Sequence, residues 1–217
     1  RWAHHRNHRV WCYNVGRARH ERDNMRIVIR ELFETVILAL LIFLGLQFSM
    51  GNYRVEGSSM LPNLTEGDYV IVNKLVYMRF DPRDLVSLIP FVEVGDDSDV
   101  FPFHAPRRGE VIIFKFPNNP EREFVKRVIG VPGDTIEIRR GSVIVNSIPL
   151  DEPYITHRDT GNMGRITVPE GGYFVLGDNR RASNDSRSWG PVPTHNIIGR
   201  ALVSFWPLNG WHALTAE

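Results

Sequence analysis

A run of 19 residues without a charge, Thr35 to Tyr53, is the feature that most limits what this 217-residue chain can fold into. Its centre reads Val36-Ile-Leu-Ala-Leu-Leu-Ile-Phe-Leu-Gly-Leu46. As a helix the run spans about 28 Å at ~1.5 Å per residue, close to the ~30 Å of a bilayer's hydrocarbon core. It is apolar on every side, whereas a helix lying on a surface keeps a polar face. Two other readings compete with it. A buried core helix is usually shorter and less uniform, and a cleaved leader would be followed by an Ala-x-Ala-like site, which Phe48-Ser-Met-Gly-Asn-Tyr53 does not supply. A membrane anchor is the expectation, its far end made short or tilted by Gln47 and Ser49.

The charges on either side agree with that expectation. Residues 1–30 hold eight arginines against Glu21 and Asp23, a local +6; the overall +1 therefore leaves the remaining 187 residues at −5. Positive charge before an apolar span marks the cytoplasmic side. The sequence thus divides into a basic cytoplasmic arm (1–30), a transmembrane anchor (31–53) and an extracytoplasmic body (54–217). Such a chain sits in the plasma (inner) membrane as a single-pass protein. Its natural start is expected upstream of Arg1. The arm's His4, His5, Arg6, His8 and Arg9 read as topology and anionic-lipid signals. No zinc spacing or basic-aromatic face points to metal or nucleic acid. The lone cysteine, Cys12, excludes an internal disulfide and falls on the reducing side.

Beyond Tyr53 the pattern changes to short β-branched runs bounded by Gly, Pro, Asn and Asp. Segments 68–73, 109–115, 124–129, 134–139, 142–146, 172–177 and 201–206 each read as a strand. Arg139-Arg-Gly-Ser142 reads as a hairpin turn between two of them. The expected fold is a mostly-β, antiparallel body. Residues 79–107 and 151–168 lack this periodicity and stand as polar excursions, the first long enough to suggest a functional or mobile loop.

Three peptides in the body carry possible chemistry. Val55-Glu-Gly-Ser-Ser-Met-Leu-Pro-Asn-Leu64 places serines in a tight turn, where one hydroxyl and nearby N–H groups are held by the backbone. Phe124-Val-Lys-Arg-Val-Ile-Gly-Val-Pro-Gly-Asp134 places Lys126 in an apolar strand. Burial there would lower the pKa of its amine and make it a base. Gly177-Asp-Asn-Arg-Arg-Ala-Ser-Asn-Asp-Ser-Arg187 gathers opposite charges that can fix a loop. Taken singly, each has an ordinary structural reading: a Gly-Ser turn, a snorkelling surface lysine, a solvated loop. A calcium loop is disfavoured, because arginines fill the gaps between its oxygen donors.

Together, in this order and behind an N-terminal span, the peptides resemble the type I signal peptidases, membrane-bound Ser–Lys endopeptidases. The likeness runs from about Arg30 to Leu208. It also includes Arg108-Gly-Glu-Val-Ile-Ile-Phe-Lys-Phe-Pro117, Gly190-Pro-Val192 and Gly199-Arg-Ala201. It implies Ser59 as nucleophile, Lys126 as general base and Ser183 as the hydroxyl that orients the lysine amine. Asp178, Asn179, Asp185 and Arg187 fall on the family's active-site loop. Tyr53, Val55, Met60, Leu64, Val70, Ile113 and Val125 fall on substrate-pocket positions suited to small residues at −1 and −3 of a signal peptide.

The implied partners are signal peptides of exported preproteins, the lipid bilayer and the protein-export machinery, with no cofactor, metal or nucleic acid. Two departures stand out. Gly57 replaces a serine whose hydroxyl lines the oxyanion hole in some relatives, so the hole here rests on backbone N–H groups, chiefly that of Ser59. The 67 residues separating Ser59 from Lys126 are lengthened by the 79–107 excursion. The competing expectations are a Ser–Lys peptidase of another branch and a catalytically silent, membrane-tethered β-domain that binds exported peptides.

Overall fold

A computed structural model describes residues 6–77, 103–207 and 211–214, with side chains from residue 26 onward. Most of the 79–107 excursion, the arm's first five residues and the side chain of Cys12 lie outside the described residues. The chain divides into two compact units, Arg1–Phe48 and Ser49–Glu217.

The first unit is one helix, α1 (Arg6–Ser49). From Ile27 to Phe48 its large apolar side chains are exposed around the helix. Arg30 and Glu34, one turn apart, pair at 3.2 Å. The uncharged run is not a single helical element, contrary to the sequence expectation. It is helical only from Thr35 to Ser49, 15 residues, or about 22 Å at ~1.5 Å per residue. Among the described residues no helix is long and apolar enough to cross a membrane. The remainder of the run enters β1 (Met50–Arg54). Gly51 and Asn52 are poor helix formers, and here they take strand hydrogen bonds opposite Val72 and Ile71.

The second unit is mostly antiparallel β-sheet, as the body's patterning predicts. β2 (Tyr69–Asn73), β3 (Val111–Phe116) and β4 (Asn119–Gly130) follow β1. A second group comprises β5 (Thr135–Arg139), β6 (Ser142–Val145), β7 (Ile148–Pro149) and β8 (Met163–Thr167). β9 (Gly172–Leu176), the one-turn helix α2 (Ser186–Trp189), β10 (Val192–Pro193), β11 (Ile197–Trp206) and β12 (His212–Ala213) complete it. The larger sheet runs β1-β2-β11-β3-β4-β9-β10, with β12 beside β11; the smaller runs β7-β6-β5-β8. The expected hairpin turn lies between β5 and β6, with Arg140 and Gly141 at φ 47° and 78°. Both central residues are then left-handed, which matches the twist of the flanking strands.

The seven strand segments read from the sequence all fall on strands. β1, β7, β8, β10 and β12 are additional. β8 shows that the 151–168 excursion returns to the smaller sheet, pairing with β5.

Alternating side chains sort into cores on this frame. Val55, Met60, Leu64, Val70 and Ile113 pack together beneath the segment that follows β1. Ile129, Ile136 and Phe174 join the two sheets in another. The sheets are tied at the turn after β4, where Asp134 accepts from Val131 N–H, Arg108 and the Asn146 amide at 2.7–2.9 Å.

Candidate active site

The site forms where two sequence-distant segments meet. The turn after β1 carries Ser59, and β4 carries Lys126. Val55 N–H donates to Asp68 O, Gly67 N–H donates back to Val55 O, and Leu64 N–H closes onto Met60 O. These bonds hold the serine peptide as a compact loop over the buried Met60 and Leu64. Gly57 sits at φ 82°, a left-handed conformation that glycine adopts without the steric cost a side chain would bring.

Lys126 is 4% exposed, and its Nζ lies 2.6 Å from Ser59 Oγ. Nζ also donates to Val125 O at 2.9 Å and stands 5.4 Å from the Phe124 ring centroid. Burial lowers the amine's pKa from 10.5 to about 8, against the pull of the Asp185 and Asp178 carboxylates, which favour the cation. Loss of hydration is the dominant influence because few protein dipoles replace the water a charged ammonium requires. An amine at this setting is substantially neutral near pH 8 and can accept a proton from a hydroxyl in hydrogen-bond contact.

The loop after β9 builds the back of the site. Asn179 N–H donates to Ser59 O and its side-chain amide donates to Ser58 O, each at 3.0 Å. Asp185 is fully buried; it caps α2 and accepts from Gly177 N–H and from Arg187. Gly177 allows no side chain, since a Cβ there would stand 2.2 Å from Ser183 Oγ and 2.5 Å from Ser59 O. The Ser183 hydroxyl is buried and has no hydrogen-bond partner among the described residues. The expected bond from Ser183 to the lysine is therefore not formed, and the Val125 carbonyl holds the amine instead.

A cleft of about 590 Å³ opens over Ser59 and Lys126. Of the expected pocket residues, Tyr53, Val55, Val70, Ile113 and Val125 line it. Met60 and Leu64 lie in the core behind its wall. Ala182 and Asn184 close one side, and Glu121, Arg122 and Glu123 extend the lining along β4. β9 pairs with β4 only from Arg127 onward. Among the described residues, the edge of β4 opposite β3 therefore has no partner strand between Asn119 and Lys126, and residues 121–126 of this stretch line the cleft. No cluster of His, Cys, Asp and Glu able to hold a metal occurs among the described residues.

The opposite charges gathered in this loop do pair, but mostly with residues outside it. Asp178 pairs with Arg127 rather than with a loop arginine. Arg180 pairs with Glu152, and Arg187 bridges Asp185 and Asp159. Asn63 donates to both Asp178 Oδ2 and Tyr154 O at 2.8 Å. Arg127 belongs to no charge pattern visible in the sequence, although strand alternation offers a clue. If Lys126 faces the cleft, its neighbour must point into the opposite layer, where a buried guanidinium needs a carboxylate. Glu152, Tyr154 and Asp159 lie in the polar 151–168 excursion, which has no periodicity to mark them.

A serine in a constrained turn, bonded to a desolvated lysine at the floor of a cleft, is the arrangement of a serine hydrolase. The comparisons narrow this class. Residues 29–206 match the family described as signal peptidase, peptidase S26. A signal peptidase I from Leptolyngbya laminosa is 37% identical over 83% of this chain and 81% of its own length. One from Bacillus caldolyticus is 37% identical over 74% and 81%. Thylakoidal processing peptidase 1 of Arabidopsis thaliana, a chloroplast protein, is 34% identical over 70% of this chain and 41% of its own length. The chain belongs to the signal peptidase family, peptidase S26, and is a serine peptidase.

Proposed function

We propose that this protein removes N-terminal signal peptides from exported preproteins through a Ser59–Lys126 dyad. The observation that carries the reading is the 2.6 Å contact between Ser59 Oγ and a lysine amine whose pKa burial has lowered to about 8. Neutral Lys126 takes the hydroxyl proton as Ser59 Oγ attacks the carbonyl carbon of the −1 residue. The tetrahedral oxyanion is received by backbone N–H groups, chiefly that of Ser59. Collapse breaks the C–N bond, and the lysine ammonium gives its proton to the departing amine. Water, deprotonated by the neutral lysine, then attacks the acyl ester and releases the signal peptide. In this reading Ser183, beside Gly177, receives the amine when it turns away from Val125 O, and Asp178, Asn179, Asp185 and Arg187 hold the loop that backs the serine.

The substrate adds as a strand to the free edge of β4, so its backbone supplies affinity. Val55, Val70, Ile113 and Val125 leave room only for small side chains at −1 and −3. Tyr53 flanks the same groove, and Met60 and Leu64 support its wall from behind.

The apolar half of α1 anchors the enzyme in a membrane, with the basic arm on the cytoplasmic side and the catalytic unit outside. Because the uncharged helical stretch is short, the bilayer thins locally or the flanking Arg26, Arg30 and Glu34 snorkel towards the headgroups. Lipid and the export machinery are accordingly its neighbours, and the chemistry uses no cofactor or metal.

The test is cleavage of a preprotein bearing alanine or tryptophan at −1 by the detergent-solubilised full chain. Alanine should be processed at least ~100-fold faster, a difference of about 3 kcal/mol in transition-state binding. Equal rates would remove the pocket assignment.

A further inference from the structure

Glu152 and Tyr154 belong to a polar stretch that the mechanism above does not use, yet they are built into its foundations. Glu152 is 3% exposed, and its carboxylate receives both terminal nitrogens of Arg180, itself 4% exposed. Tyr154 Oη donates to the same carboxylate at 3.2 Å. Arg180 then reaches back into the site, its Nε donating to Gly177 O at 3.1 Å. The Gly177 peptide is thus held at both ends, its N–H by Asp185 and its carbonyl by Arg180. Gly177 in turn lies against Ser59 O and Ser183 Oγ at a separation that admits no side chain. Tyr154 makes a second connection. The Arg127 guanidinium stacks 4.1 Å from its ring centroid, and its carbonyl accepts from Asn63 in the serine segment.

We propose that Glu152 is a positioning residue for catalysis: through Arg180 and the Gly177 peptide it sets the distance between Ser59 and Lys126. Arg180 is fixed in direction only while its guanidinium is neutralised by two-point pairing in a site closed to water. Without the Glu152 charge, the guanidinium is drawn towards solvent or another acid. The Gly177 carbonyl then loses its donor, and Ser59 loses the surface behind it. Misplacing a nucleophile by about 1 Å costs on the order of 100-fold in rate. Substrate contacts along β4 and the apolar pockets lie on other residues, so binding should be spared.

This inference rests on the Ser59–Lys126 reading, and the experiment separates the two. Glu152→Gln keeps the shape and removes the charge; Glu152→Asp keeps the charge on a shorter stem. The full chain carrying each is assayed for kcat and KM on a preprotein peptide, and for the rate at which a serine-acylating penem labels Ser59. The expected result for Glu152→Gln is a kcat 10- to 100-fold lower with KM within twofold, and an equal fall in labelling rate. Glu152→Asp should recover at least part of both.

Asp159→Asn provides a second variant that tolerates substitution more readily, because Asp159 and its partner Arg187 are partly exposed. It should lower kcat by less than Glu152→Gln, with KM unchanged. If Glu152→Gln melts at a lower temperature but retains full kcat per folded enzyme, the residue is structural and the proposal is overturned. If Glu152→Gln does not fold, an unchanged kcat in Asp159→Asn overturns the coupling of this loop to the site. Full cleavage by Ser59→Ala would instead refute the dyad itself, whatever Glu152 does.

Discussion

Arg127 meets Asp178 through two parallel hydrogen bonds, Nε to Oδ1 at 2.9 Å and the terminal nitrogen to Oδ2 at 2.8 Å, with side chains 4% and 1% exposed. The pair joins the strand that carries the lysine to the loop that backs the serine. Its guanidinium also donates to Gly109 O at 2.8 Å, so its polar valences are well used. A buried pair of this quality contributes little beyond a well-packed apolar substitute, but breaking it is costly. Asp178→Ala should destabilise the enzyme by about 3–5 kcal/mol, because Arg127 is left charged and unpaired. Thermal melting of the variant checks this. A melting temperature within a degree of the parent would mean that solvent reaches Arg127.

Gly177 offers a sharper steric test. A Cβ at this position would stand 2.5 Å from the carbonyl oxygen of Ser59, a backbone atom with little freedom to move. Gly177→Ala should therefore push the serine peptide and loop apart and lower kcat at least ~100-fold, the scale expected for a misplaced nucleophile. Cleavage kinetics on the folded variant, verified by circular dichroism, decide the matter. Wild-type kcat would show that the loop can yield without disturbing the serine.

Much of the architecture was legible because strand periodicity is a local property. Val143 and Val145 alternate with Ser142 and Ile144, and the hairpin before them carries Arg140-Gly141 where left-handed residues are required. The contact between Ser59 and Lys126 joins two peptides that local motifs single out. What the sequence concealed was pairing across distance. Asp178 lies 51 residues from Arg127, and Glu152 lies 28 from Arg180. Nothing in local composition distinguishes a carboxylate that will be buried from one that will be solvated. The end of the apolar helix was obscured for a related reason. Met50-Gly-Asn-Tyr53 is uncharged and continues the run, but pairing with β2 makes it strand.

The shifted lysine also bears on stability. Its folded pKa, about 8, lies below its unfolded value of 10.5. The unfolded chain therefore binds more protons between these values, and stability from this group rises with pH across that window. At neutral pH the buried amine is a liability. Lys126→Met, which keeps the stem and removes the charge, should raise stability by up to about 3 kcal/mol while abolishing cleavage. Denaturant melts at pH 7 and pH 10.5 test the sign: the advantage of the variant should be largest at pH 7 and vanish towards pH 10.5. An advantage that grew with pH would place the lysine pKa on the wrong side of its ordinary value.

The most direct measurement of the central claim is the pH dependence of Ser59 acylation, followed with a serine-acylating penem from pH 6 to pH 10 in the wild type and in Lys126→Met. If neutral Lys126 is the base, the wild-type rate rises tenfold per pH unit at low pH and levels off through an apparent pKa near 8. The Lys126→Met rate should be at least ~1,000-fold lower across the range and show no such inflection, since both the base and its hydrogen bond to Ser59 are gone. A Lys126→Met enzyme that acylates with the same inflection near pH 8 would contradict the account, because the proton acceptor would then be another group.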